Sequence, residues 1–131
     1  MRTFTSIPIA LERIASETID AVYKVHKSLG PGLLESVYEK CLAYELSKRE
    51  LRVETQVLMP MVCEGVRLDA GLRLDILVEG QLILEIKSVE TMHPAFEAQL
   101  LTYLKLTGRR LGFLINFSVP LIKNGIKRMV L

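Results

Sequence analysis

The chain has 131 residues, half of them apolar and about a quarter charged, with a net charge of +2. That composition excludes a disordered polyelectrolyte and fits one domain, residues 1–131, with a core of its own. Cys41 and Cys63 form no CxxC pair, no apolar run approaches the ~20 residues of a membrane span, and "MRTFTSIPIALER" lacks the apolar segment of a secretory leader. A cytoplasmic protein with reduced, packed thiols is expected.

Apolar residues at Leu11, Ile14, Ala15, Ile19, Val22, Val25 and Leu29 predict a helix from about Ile9 to Leu29, stopped by "GPG" at Gly30–Gly32. A second helix is expected from about Leu33 to Lys48. Its buried stripe would comprise Leu34, Val37, Tyr38, Cys41, Leu42 and Leu46. "LRVETQVLMPMVCEG" alternates and ends at a turn glycine, so it reads as β. Strands follow at Leu72–Val78 and Leu82–Val89, turning at Gly80. Pro94 and Gly108 bracket a third helix. "LGFLINFSV" reads as a strand covered on both faces, and the tail adds a short last strand. The order gives an α/β (α+β) fold, a central mixed sheet flanked by helices.

Strand alternation sorts the hairpin "LRLDILVEGQLILEIKSVE". Leu72, Leu74, Ile76 and Val78 fall on one face and Arg73, Asp75 and Leu77 on the other. In the returning strand, Glu85 and Lys87 oppose the face of Leu82, Leu84 and Ile86. A turn centred on Gly80 makes the greasy faces coincide and sets Asp75 opposite Glu85 and Arg73 opposite Lys87; a two-residue turn would put Glu85 on the wrong face. Facing carboxylates about 4 Å apart repel by roughly 4 kcal/mol at an effective dielectric of about 20. Two arrangements offset this. Arg73 and Lys87 can neutralise the acids in a plain ion network. Alternatively Asp75 and Glu85, with the Ile86 carbonyl, can hold a hard divalent cation such as Mg²⁺, with Lys87 beside it to polarise a water.

Glu35 falls in the first turn of the second helix, where the helix dipole alone favours an acid. Gln99 and Tyr103, four apart, share a face of the third helix. With "HKSLGPGLLESVYE", "RLD", "LEIKSVE", "AQLLTYLKLTG" and "GFLINF", nearly the whole chain resembles the GxxExxY protein family, whose signature is spelled here from Gly32 to Tyr38. That family is grouped with the PD-(D/E)XK, or restriction endonuclease-like, nucleases, and its motifs are similar to the RecB-like branch.

The resemblance implies a restriction endonuclease-like fold and a site of Glu35, Asp75, Glu85, Lys87, Gln99 and Tyr103. It implies Mg²⁺- or Mn²⁺-dependent phosphodiester hydrolysis of DNA or RNA. Leu74 stands where the family's half-motif has Pro, and no iron–sulfur cysteines are present. His26 reads as a packed helix-end residue and His93 as a loop residue.

Lys24, Lys27, Lys40, Arg109, Arg110, Lys123, Lys127 and Arg128 are candidates to frame a phosphate backbone. No aromatic-rich stretch suggests base stacking. The alternative is a catalytically silent domain that binds nucleic acid or a partner protein. A homodimer is compatible with the high apolar content.

Overall fold

A computed structural model describes residues 6–131. The first five residues, which the expectations on domain start and leader partly concern, lie outside the described residues. Helix α1 spans Ile9–Leu29 and α2 Glu35–Lys48. Strand β1 spans Val53–Cys63, β2 Val66–Val78 and β3 Leu82–Lys87. Helix α3 covers Pro94–Thr107, β4 Leu111–Asn116, a 3₁₀ turn Ile122–Gly125 and β5 Ile126–Val130.

The described strands form one five-stranded sheet in the order β1-β2-β3-β4-β5. All neighbours are antiparallel except β3 and β4, which α3 connects in parallel. That crossover makes the sheet mixed, as expected. Helices α1 and α2 cover one face: Ala15, Val22, Tyr38, Leu42 and Leu46 pack on Ile76, Leu84, Ile86, Phe113 and Ile115. Helix α3 covers the other, where Leu100 and Leu104 meet Leu74, Leu77, Ile83 and Leu114. All six residues of β4 are buried, which explains its unbroken apolar run. No helix among the described residues is long and apolar enough to cross a membrane.

The turn between β2 and β3 sets the register. Glu79 and Gly80 both adopt positive φ, at 52° and 65°. Glycine takes this conformation freely, but glutamate does so at a cost. Arg52 holds Glu79 there: its carbonyl accepts the Glu79 N–H at 2.8 Å, and its own N–H donates to the Glu79 carboxylate at 2.8 Å. The pairs Val78↔Leu82, Leu77↔Ile83 and Ile76↔Leu84 follow. The turn is therefore centred on Gly80.

Three expectations are corrected. The chain does not enter α2 at Leu33. Leu34 is extended and 73% exposed, outside the buried stripe. The cause is Tyr38, whose hydroxyl donates to Gly30 O at 2.5 Å and accepts from Leu33 N at 3.1 Å, holding "GPG" as a loop up to Leu34. Second, β3 ends at Lys87 rather than Val89, because the Asn116 side chain takes both backbone groups of Val89.

Third, Leu74 does not share a face with Ile76 and Val78. It joins the α3 side, while they join the α1–α2 side. Between Leu74 and Ile76 the β1–β2 ladder keeps its register, Thr55↔Ile76 then Val57↔Leu74, but Gln56 and Asp75 are left unpaired and Gln56 sits at φ 51°; the register shift comes further on, between Met59 and Met61. Beyond this point β2 runs with β1 as a long hairpin, and no β2–β3 pair continues past Ile76↔Leu84.

Gly125 closes the 3₁₀ turn against the end of β4. A Cβ there would lie inside van der Waals contact of the Asn116 carbonyl oxygen. Gly125→Ala is expected to cost about 1–3 kcal/mol of stability, read as a lower urea midpoint with an unchanged m-value.

Candidate functional site

The cleft lies where β2 leaves β3. The last β2–β3 pair is Ile76↔Leu84, so the next two residues, Asp75 and Glu85, face each other across the opening. Their carboxylates close the ladder. Asp75 Oδ2 accepts the Ile86 N–H at 2.8 Å, and Glu85 Oε1 accepts the Asp75 N–H at 3.4 Å. A strand residue turns its N–H and C=O toward the same neighbour. The Ile86 carbonyl therefore points to the side from which Asp75 approaches.

A cavity of about 430 Å³ opens from this fork and is lined by Glu35, Arg73, Asp75, Glu85, Lys87, Gln99 and Tyr103, together with Gly71 and Leu72. Glu35 comes from the first turn of α2, on one face of the sheet. Gln99 and Tyr103 come from α3 on the other. All six side chains expected at the site thus meet in one cleft. Glu85 is buried at 4% exposure, whereas Glu35 and Gln99 are open to solvent.

An adjoining pocket of about 220 Å³ shares Glu35, Arg73 and Asp75, reaches Ile86, and adds Ser36, Glu39 and Gln56. Glu39 is a site residue that the sequence reading missed. It lies four residues after Glu35, hence on the same helical face, and that spacing was the available signal. Gln56 donates to Glu39 at 2.6 Å. Burial raises the Glu39 carboxyl, with Asp75 and Glu35 adding to the rise, while the Gln56 bond and Arg73 oppose it.

The plain ion network does not form. Arg73 and Lys87 make no ion pair among the described residues, and Lys87 Nζ instead sits over the Phe96 ring, 4.4 Å from its centroid. Such a contact favours a cation without neutralising the acids.

The loops at this end of the sheet are tied together by hydroxyls and one amide. Ser88, directly after Lys87, donates to Leu33 O at 2.5 Å and pairs with Ser118 at 2.7 Å. Ser118 Oγ accepts Gly32 N–H at 3.3 Å. Asn116 Oδ1 accepts from Val89 N and Ser118 N, each at 3.1 Å, and Asn116 Nδ2 donates to Val89 O at 2.9 Å. Asn116 is buried, and the network fixes the strand bearing Lys87 to the loop that leads into Glu35.

The sequence matches the PD-(D/E)XK nuclease superfamily over residues 12–129. The chain belongs to that superfamily. No curated protein and no solved structure matches it. In this PD-(D/E)XK chain Asp75 and the Glu85-Ile86-Lys87 triplet lie on the two strands that part at the fork.

Other expected residues lie elsewhere. His26 is buried, its Nε2 bound to Val119 O at 2.8 Å, away from the cleft. The Nδ1 of His93 caps α3 by accepting the Ala95 N–H at 3.0 Å. Arg109 donates to Gly80 O at 2.9 Å and Arg110 to Leu131 O at 3.3 Å. Both stand at the opposite end of β4 from Asn116, so neither frames the cleft. Lys24, Lys127 and Arg128 pair with Glu45, Glu97 and Glu12.

The donor set at the fork fits a hard cation. Two carboxylates and a carbonyl are oxygen ligands of the kind Mg²⁺ takes, with water completing its octahedron. Among the described residues no group of three or more His, Cys, Asp and Glu side chains could hold a metal ion, so the donor set at the fork consists of two carboxylates completed by main chain and water. The electrostatics point the same way. Burial, then the neighbouring Asp75 charge, pushes the Glu85 carboxyl up from 4.5 to about 9, and Lys87 lowers it only slightly.

This shift fixes a pH dependence for the metal-free PD-(D/E)XK domain. The unfolded chain loses the Glu85 proton near 4.5, while the folded chain keeps it to about 9. The stabilising contribution is complete below 4.5 and is lost as pH rises to about 9. Its slope is at most about 1.4 kcal/mol per pH unit. Urea melts in EDTA across that window should show the decline, and Glu85→Gln should flatten it.

Proposed function

We propose that this superfamily member is a metal-dependent nuclease hydrolysing phosphodiester bonds of DNA or RNA, of the GxxExxY branch with RecB-like motifs. The observation that supports this reading is the convergence of Glu35, Asp75, Glu85, Lys87, Gln99 and Tyr103 in one cleft where, among the described residues, no cation forms an ion pair with the facing acids. Asp75, Glu85 and the Ile86 carbonyl would hold Mg²⁺ or Mn²⁺. The ion supplies Lewis-acid polarisation of the phosphate and a more acidic water.

Lys87, steadied by Phe96, brings a positive charge to the cleft that orients the attacking water and balances charge building on phosphate oxygens. Tyr103 acts as a hydrogen-bond donor to the substrate. Burial first, then the charges of Glu85 and Asp75, raises its hydroxyl above the usual tyrosine value, so it keeps its proton. Gln99, one turn earlier on α3, offers an amide to the same strand of substrate. Glu35 faces the cleft from α2 and orients water on the side away from α3.

The test is cleavage of single-stranded and duplex DNA and RNA with Mg²⁺ or Mn²⁺. Glu85→Ala and Lys87→Ala should each lower the rate at least about a hundredfold while the circular dichroism melt remains cooperative. Mn²⁺ should raise the melting temperature of the parent but not of Glu85→Ala. Parent-like cleavage by both variants would sink the assignment. Salt-sensitive binding with no turnover by the parent would establish the silent alternative.

A further inference from the structure

A second concavity opens on the α1 side of the molecule. Its volume is about 650 Å³, and it lies between the last turns of α1 and the segment that follows β4. Its walls are Tyr23, Pro120 and Leu121, with Lys27 and Lys123 at the rim. Tyr23 is 45% exposed and Leu121 57%. Scattered exposed apolar residues are ordinary. Here, however, a phenol ring, a proline ring and a leucine side chain share one groove with two lysines that have no ion pair among the described residues.

The charge in this groove is positive. Lys27 and Lys123 have no ion-pair partner among the described residues. Lys24 is shared with Glu45 at 2.9 Å. The one acid on the wall, Asp20, is neutralised by Arg49 at 2.7 Å. The groove is also fixed in place, because His26 ties α1 to Val119 at 2.8 Å, next to Pro120.

We propose that this groove binds an unpaired stretch of nucleic acid, with a base stacked on Tyr23 against Pro120 and Leu121 and the phosphates on Lys27 and Lys123. An exposed aromatic ring flanked by lysines suits a single strand, whose base faces are free; a duplex hides them. Position supports this occupant. Lys87 pairs with Asn116 across the sheet. Pro120 is four residues further on and so lies within about 14 Å of Asn116. One strand a few nucleotides long can occupy both groove and cleft. The direction of that path rests on reading the cleft as a phosphodiester site; the groove's affinity for a single strand does not.

The experiment is fluorescence anisotropy of a labelled oligothymidylate in EDTA, against a duplex of equal length, over a range of salt. The parent should bind the single strand, more weakly as salt rises. Tyr23→Ala should weaken this about tenfold, the loss expected for one stacked base, with an unchanged salt slope, and Tyr23→Phe should restore it. Lys27→Glu with Lys123→Glu should weaken binding further and flatten the slope by about one to two.

Three results would overturn the proposal: no single-strand binding by the parent, parent-like binding by the groove variants, or an equal loss of duplex affinity in Tyr23→Ala. Groove-dependent binding by a parent that never cleaves would sink the nuclease reading alone. Cleavage by a parent whose groove variants bind normally would sink the groove alone.

Discussion

The structure turns on two carboxylates that face each other where a β-ladder stops. Asp75 takes the Ile86 N–H that a neighbouring strand's carbonyl would otherwise accept, and Glu85 takes the N–H of Asp75. A side chain thus replaces main chain as the ladder's last acceptor. Strand β2 is free to peel away from β3, and the gap becomes the cleft. The same act sets a buried Glu85 against a half-buried Asp75 with no ion pair to either among the described residues, and that burial and neighbouring charge are why Glu85 holds its proton so far above the usual carboxylate range. Opening the site and charging it are one event.

Everything around the fork preserves it. The Gly80 turn, pinned by Arg52 and Arg109, sets the register that makes Asp75 and Glu85 opposites. The Asn116 and serine network holds the loops after β3 and β4 against the loop before α2, so Glu35 and Lys87 share one frame. Helix α3 adds Gln99 and Tyr103 from the other face and offers Phe96 to Lys87. Lys87 remains beside the acids without cancelling them.

Much of this was legible in the chain. Period and punctuation set α1 and α3, and the apolar alternation set the centre of the β2–β3 turn. What escaped depends on contacts distant in sequence. The passage of Leu74 to the other face accompanies a break in pairing at Gln56, on the neighbouring strand. The early stop of β3 comes from Asn116. Arg109 read as a phosphate ligand because charge alone does not reveal that a turn carbonyl already occupies it. Neutralisation of the acids by Arg73 and Lys87 was one of two arrangements the alternation allowed, but an aromatic ring contributed by α3 offers the lysine another place. Glu39 was within reach of the sequence, at helical spacing from Glu35, and was overlooked.

Tyr38, the last letter of the Gly32–Tyr38 signature, is fully buried, stacks on Phe117 at 4.5 Å, and spends its hydroxyl on the Gly30–Leu33 loop. It is a rivet in the wall and not a reagent. A search keyed to the glycine-to-tyrosine spacing therefore collects chains able to close this loop, whether or not they kept any chemistry. A degenerate descendant could lose Asp75 and Glu85, seal the fork with apolar side chains, and still display the signature intact. On the proposed reading of the cleft, the positions that would separate working copies from retired ones are those at the fork.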